Sequence, residues 1–141
     1  MNVVLDANFI VAAITPNPFR EAAEKMLETW QNEKTNLHAP ELARYEVANA
    51  LTRSISAGIW AQESLEEFCN EIAFLPIIYH PLTGEEARIV EIALSLSRRS
   101  AYDAAYLALA ESLNAELWTL DGPLYRNAIG CGFNVRLLER S

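Results

Sequence analysis

The sequence predicts an α/β fold, a parallel sheet with helices on both faces. Two observations predict it. Short β-branched or apolar runs alternate with longer segments whose apolar residues recur at helical spacing. The opening run Val3-Val4-Leu5 also has no polar alternation, as in a strand buried on both faces. The chain has 141 residues, 51% hydrophobic and 21% charged, without repeat, linker or low-complexity run. A single domain spanning 1–141 is expected.

The elements follow in order. Asp6-Ala7-Asn8 ends the first strand, and a helix runs to about Ala13. Pro16 and Pro18 break the chain. Ala22, Ala23, Met26, Leu27 and Trp30 mark a helix over about 19–32, and a short strand covers Asn36-Leu37-His38-Ala39. Pro40 fits the first turn of a helix that Leu42, Val47, Ala50 and Leu51 carry to a stop at Gly58. A helix over about 62–74 ends before Pro76, and Ile77-Ile78-Tyr79-His80 is a strand. Thr83, with Glu85 and Glu86, opens a helix to about Arg98; Ser100-Ala101-Tyr102-Asp103 opens the next, to about Asn114. Glu116 to Leu120 is a strand, Asp121-Gly122-Pro123 a turn into a short helix, and Asn134-Val135-Arg136 the last strand.

In such a sheet the C-terminal ends of strands and the N-terminal ends of the following helices share one edge, where ligands bind. Asp6 and Asp121 each end a strand, Asp103 lies in the first turn of the helix leading into the second of these, and Glu46 lies about two turns past Pro40. Four acids from four distant segments are therefore expected in one pocket. Gathered carboxylates repel one another unless a cation joins them. Hard oxygen ligands suit Mg²⁺ and Mn²⁺, which activate water and neutralise charge on a phosphodiester. Each acid also has a purely structural reading: Asp6 caps a helix, Ser100 and Asp103 resemble a capping box, Asp121 precedes a Gly-Pro turn, and Glu46 is a helix acid. Capping leaves Glu46 unexplained, and it does not explain why all four share an edge.

The formal net charge is −8. That argues against a plain nucleic-acid-binding module, which grips phosphates with a basic surface. It argues less against a metal nuclease, because the site's own four acids supply half the excess. Arg98 and Arg99, just before Asp103, are candidates for substrate phosphate; Arg44, Arg53 and Arg126 are further ones. His38 and His80 read as core or edge residues, the three tryptophans as core or dimer interface. Cys69 and Cys131, far apart and outside any CxxC pair, read as buried free thiols. The first residues lack the basic region of a signal peptide, and no apolar stretch approaches the roughly 20 residues of a membrane span. A cytoplasmic protein is expected.

The chain resembles PIN domains, in particular the VapC-type toxins of bacterial toxin–antitoxin pairs. The resemblance rests on Val3-Val4-Leu5-Asp6-Ala7-Asn8, Tyr45-Glu46-Val47-Ala48-Asn49-Ala50-Leu51, the segment from Ser100 to Ala110, and Leu117-Trp118-Thr119-Leu120-Asp121. It spans the chain in order and spacing. It implies a three-layer α/β/α fold with five parallel strands, endoribonuclease activity with Mg²⁺ or Mn²⁺ held by Asp6, Glu46, Asp103 and Asp121, a homodimer, and a small antitoxin partner. Asn8 and Thr119 match positions that support the acids by hydrogen bonding in similar proteins. Ala7 stands where the family often carries a hydroxyl residue. Two other classes fit the residues less well. A non-catalytic PIN-like interaction protein is opposed by the presence of all four acids. A receiver domain or dehalogenase-like phosphatase needs an aspartyl phosphoacceptor, yet Asn8 sits where the phosphatase wants a second Asp, and the only lysines are Lys25 and Lys34.

Overall fold

The computed structural model describes residues 1–98 and 101–140. Five parallel strands form one sheet in the order β3-β2-β1-β4-β5: β1 (Asn2–Leu5), β2 (Asn36–Pro40), β3 (Ile77–His80), β4 (Glu116–Thr119) and β5 (Val135–Leu137). Among the described residues seven α-helices join them: α1 (Ala7–Ile14), α2 (Arg20–Asn32), α3 (Leu42–Ser56), α4 (Leu65–Phe74), α5 (Glu86–Ser95), α6 (Tyr102–Ser112) and α7 (Gly122–Gly130). The α/β expectation and the five parallel strands are borne out.

β1 is central because its side chains can be buried on both faces: Val3, Val4 and Leu5 are at most 1% exposed. The chain builds outward from β1 through β2 to β3, then returns to β1's other side with β4 and β5. That reversal opens a crevice at the C-terminal ends of β1 and β4. α1 packs with α2, α3 and α4, and α5 packs with α6. α6 lies against β1, β2 and β4. It comes close through small residues, since Ala104, Ala105, Ala108 and Ala110 are all buried. Phe9 stacks obliquely on Trp30, whose ring meets that of Trp118 edge to face at 5.3 Å. Trp30 is thus core, as expected.

Several boundaries differ from the sequence reading. Pro40 ends β2, paired with His80, rather than opening a helix, and the next amide, Glu41 N, donates to His80 O. A proline can close a strand where its missing N–H is not needed by the ladder. α3 stops before Gly58 as expected, and Gly58 adopts φ +77°. A 3₁₀ turn, Gln62–Ser64, precedes α4. α5 begins only at Glu86 and ends at Ser95, because Ser97 takes φ +56°. The expected capping role of Ser100 lies outside the described residues.

Both cysteines are free but exposed, which corrects the expectation of buried thiols. α4 spends its buried face on Phe68, the residue before Cys69, and Cys131 lies just past the end of α7. His38 is buried within β2; its Nδ1 lies 2.8 Å from His80 Nε2 and its Nε2 2.9 Å from Asn2 Oδ1. The pair ties β2 to β3 and to β1 as internal polar residues. No helix among the described residues is long and apolar enough to cross a membrane.

Candidate active site

Asp6 immediately follows β1 and begins α1. One carboxylate oxygen, Oδ1, accepts from Phe9 N at 2.9 Å, so the capping role is real. The other, Oδ2, accepts from the Thr119 hydroxyl at 2.5 Å. Register explains the contact. Leu5 pairs with Trp118, so Asp6 and Thr119 are next in line across β1 and β4. Thr119 Oγ1 in turn accepts from Asp121 N at 3.0 Å. One buried hydroxyl therefore links the Asp6 carboxylate to the backbone of Asp121, at the position where the resemblance implies a hydrogen-bonding support of the acids.

Asp121 caps α7 as Asp6 caps α1, with Oδ1 accepting from Leu124 N at 3.0 Å. Asp103 occupies the first turn of α6, and Glu46 lies in the second turn of α3. Both helices start at the edge where β1 and β4 end. Asp6, Glu46 and Asp103 line one cleft of about 180 Å³, together with Asn8, Asn49, Arg53 and Tyr106. Asp121 does not line it, but it lies close enough to both Asp6 and Asp103 to act on them electrostatically.

Electrostatics mark the site. Burial is the largest influence on Asp6, pushing its carboxyl from 3.8 up to about 7; the Thr119 and Phe9 hydrogen bonds oppose it, and the charges of Asp103 and Asp121 add to it. Asp103 is also raised, first by burial; the nearby Arg98 charge lowers it and Asp121 raises it. Burial and a 2.6 Å hydrogen bond to Glu46 Oε1 push the Tyr106 hydroxyl far above its ordinary range, so it donates as a neutral phenol.

The remaining expectations divide. Arg98 lies near enough to Asp103 for its charge to lower that carboxyl's pKa, and Arg99 lies outside the described residues. Arg53 lines the cleft. Arg44 does not: it stacks over the Tyr79 ring and pairs with Glu41. Asn8 lines the cleft, but its side-chain amide makes no hydrogen bond to another described residue. Tyr106 and Asn49 escaped the sequence reading. Helical spacing could have found both, since Tyr106 is three residues past Asp103 and Asn49 three past Glu46.

The PIN-domain family model matches residues 3–130. The chain belongs to the PIN-domain family. This PIN domain is 33% identical over 129 residues to a ribonuclease named VapC3 from Pyrobaculum aerophilum, covering 88% of this chain and 92% of that one. It is 36% identical over 85 residues to a ribonuclease named VapC9 from Mycobacterium tuberculosis, 60% of this chain and 65% of that one. Among solved structures, its fold matches VapBC2 from Rickettsia felis, crystallised with a promoter DNA fragment, at TM-score 0.72 and 14% identity over 99% of this chain and 100% of that one. A toxin–antitoxin complex from Klebsiella pneumoniae matches at TM-score 0.70 and 16% identity, over 99% of each chain.

Replacing Thr119 by Val would leave Asp6 Oδ2 without its hydroxyl donor in a buried site. The expected cost is about 1–3 kcal/mol of unfolding free energy, read by urea titration. Unchanged stability would show that the Thr119 hydroxyl is dispensable to the fold.

Proposed function

We propose that this PIN domain is a divalent-metal-dependent endoribonuclease cutting RNA phosphodiester bonds, the toxin of a VapBC-type toxin–antitoxin pair. One observation carries it: Asp6, Glu46 and Asp103, from three separate elements, line a single cleft, and Asp121 lies within electrostatic range of two of them. Neighbours named as ribonucleases and as toxin–antitoxin complexes support the same reading.

The donor set fits Mg²⁺, with Mn²⁺ as the alternative, because every candidate ligand is a hard carboxylate oxygen. Among the described residues no three acidic, His or Cys side chains close into a ready-made cage. One or two carboxylates from Asp6, Glu46, Asp103 and Asp121, with water elsewhere, would then hold the ion, as is usual for Mg²⁺. Once bound, such an ion neutralises phosphodiester charge and makes water a better nucleophile.

The chain's own residues do the rest. Thr119 fixes the orientation of Asp6, and Tyr106 fixes that of Glu46. Arg53, in the cleft, and Arg98, beside Asp103, offer positive charge to the phosphate. The companion antitoxin would be a small protein with a basic segment, suited to a chain of net charge −8. Homodimers would form through apolar surface such as Val90 and Leu94, one turn apart on α5 and 52% and 70% exposed. The working compartment would be the cytoplasm.

Purified protein should cut single-stranded RNA with Mg²⁺ or Mn²⁺, stop on chelation, and lose cutting as Asp6→Asn or Asp103→Asn. Full activity in either variant would refute the proposal. Calorimetry without detectable binding of either ion would favour the non-catalytic interaction protein instead.

A further inference from the structure

A second hollow of about 340 Å³ adjoins the acid cleft. The two share Asn8 in their walls, and Asp121 stands in the second. Val11 and Ala12 of α1 and Leu120 after β4 supply apolar surface, and the Trp60 indole supplies an aromatic wall. Trp60 is held in place: its Nε1 donates to Pro16 O at 3.2 Å, and its ring meets Phe68 edge to face at 5.7 Å. The ring nitrogen is thus engaged with protein, leaving the ring itself to act as a platform.

The charges in the two hollows differ in kind. The acid cleft contains Arg53. Among the described residues no Lys or Arg lines the second hollow, and a carboxylate, Asp121, does. A phosphate is therefore disfavoured there, and an uncharged planar ring is favoured. RNA offers such rings wherever it is single-stranded, and proteins hold them by stacking on aromatic side chains. The Asn8 amide, exposed and without another described partner, is placed at the junction to hydrogen-bond a base edge.

We propose that this hollow is a nucleobase subsite. A base neighbouring the phosphate in the acid cleft would leave its stack, lie against Trp60 and present its edge to Asn8. The proposal rests on the ribonuclease reading and adds to it a seat for one base beside the acid cleft.

The test is binding in a chelator-containing buffer, where no cutting occurs. A fluorescein-labelled single-stranded RNA hexamer is titrated by anisotropy against wild type, Trp60→Ala, Trp60→Phe and Asn8→Ala. A hexamer with abasic sites is titrated alongside. Losing one stacked base corresponds to a roughly 5- to 150-fold loss of affinity. Trp60→Ala should therefore weaken binding by at least about 5-fold, and Trp60→Phe, which keeps a ring, should retain most of it. The abasic hexamer should bind wild type as weakly as the intact hexamer binds Trp60→Ala. Asn8→Ala, which leaves the fold's hydrogen bonds intact, should reduce the differences in affinity among hexamers of different base.

Equal binding of the intact and abasic hexamers by wild type would overturn the subsite while leaving the nuclease reading standing. Wild type binding neither hexamer would also overturn the subsite, while the nuclease reading would stand or fall separately on cleavage with Mg²⁺ or Mn²⁺. Loss of a co-purifying protein by Trp60→Ala with RNA affinity unchanged would make the hollow a protein-docking site, and would also overturn the proposal.

Discussion

Asp103→Asn is expected to lower the rate of RNA cleavage by at least about a hundredfold, the usual cost of removing one pre-positioned electrostatic group from a reaction centre. The substitution is nearly isosteric and removes only a charge. Asp103 lines the cleft with Asp6 and Glu46, and its charge is felt at Asp6. On the proposed function, losing that charge weakens the hold on a cation, and it removes a counter-charge to Arg98. Stability should change little, because among the described residues no hydrogen bond that holds the fold together depends on the Asp103 carboxylate. The pairing of lost cleavage with an unchanged melting temperature distinguishes a reaction-centre role from a structural one. A variant that cuts at more than a tenth of the wild-type rate would remove Asp103 from the reacting set.

The second large effect is in stability. Asp6 has a folded-state pKa of about 7 against an ordinary 3.8. Below pH 4 the carboxyl is protonated in both the folded and unfolded chain, and burying it exacts no charge penalty. Between pH 4 and 7 the unfolded chain releases the proton while the folded chain keeps it, so the unfolded state gains and stability falls. Above pH 7 the loss is complete. A rise from 3.8 to about 7 corresponds to a penalty on the order of 4 kcal/mol. In chelator-containing buffer the urea midpoint attributable to this group should therefore fall as pH rises from 4 to 7, and then level off. Asp6→Asn keeps a capping residue, removes the titration, and should be more stable than wild type above pH 7. The measurement is the difference between the two proteins' unfolding free energies at each pH. A difference that stays constant from pH 4 to 8 would show that Asp6 is charged in the folded protein throughout. A divalent cation, by favouring the charged form, should shrink the penalty.

These two results would also separate folding from function at a single edge of the sheet. Asp6 and Asp121 are helix caps and site acids at once. The capping reading of each residue is thus correct, and it leaves room for the functional one, since a cap uses only one carboxylate oxygen.

The overall architecture was legible in the sequence because its strands are short apolar runs and its helices carry regular apolar spacing. β1 and α6 are the clearest cases. The convergence of the acids was legible because a parallel sheet places its strand ends and helix starts on one edge. Boundaries were less so. Pro40 reads locally as a helix opener, and only its pairing with His80 across the sheet makes it a strand end. The position of α5 depends on a left-handed backbone at Ser97 that no residue type announces. The cysteines read as buried on composition, yet a helix has one inward face, and α4 gives it to Phe68. Arg44 and Arg53 look alike in sequence. Rotation along α3 points one to Tyr79 and the other into the cleft. The bond between Tyr106 and Glu46 joins residues 60 apart and has no local signature.

The alanines of α6 carry a further consequence. With Ala104, Ala105, Ala108 and Ala110 buried on the helix that also bears Asp103 and Tyr106, single methyl groups set how closely that helix packs beside the acid cleft. A bulkier side chain on the face of α6 that meets the sheet has to lift the helix away from it. Lifting it would carry Asp103 away from Asp6 and draw Tyr106 off Glu46 in one movement. The thickness of that layer therefore sets the spacing of the acids in the cleft, through residues that bear no charge.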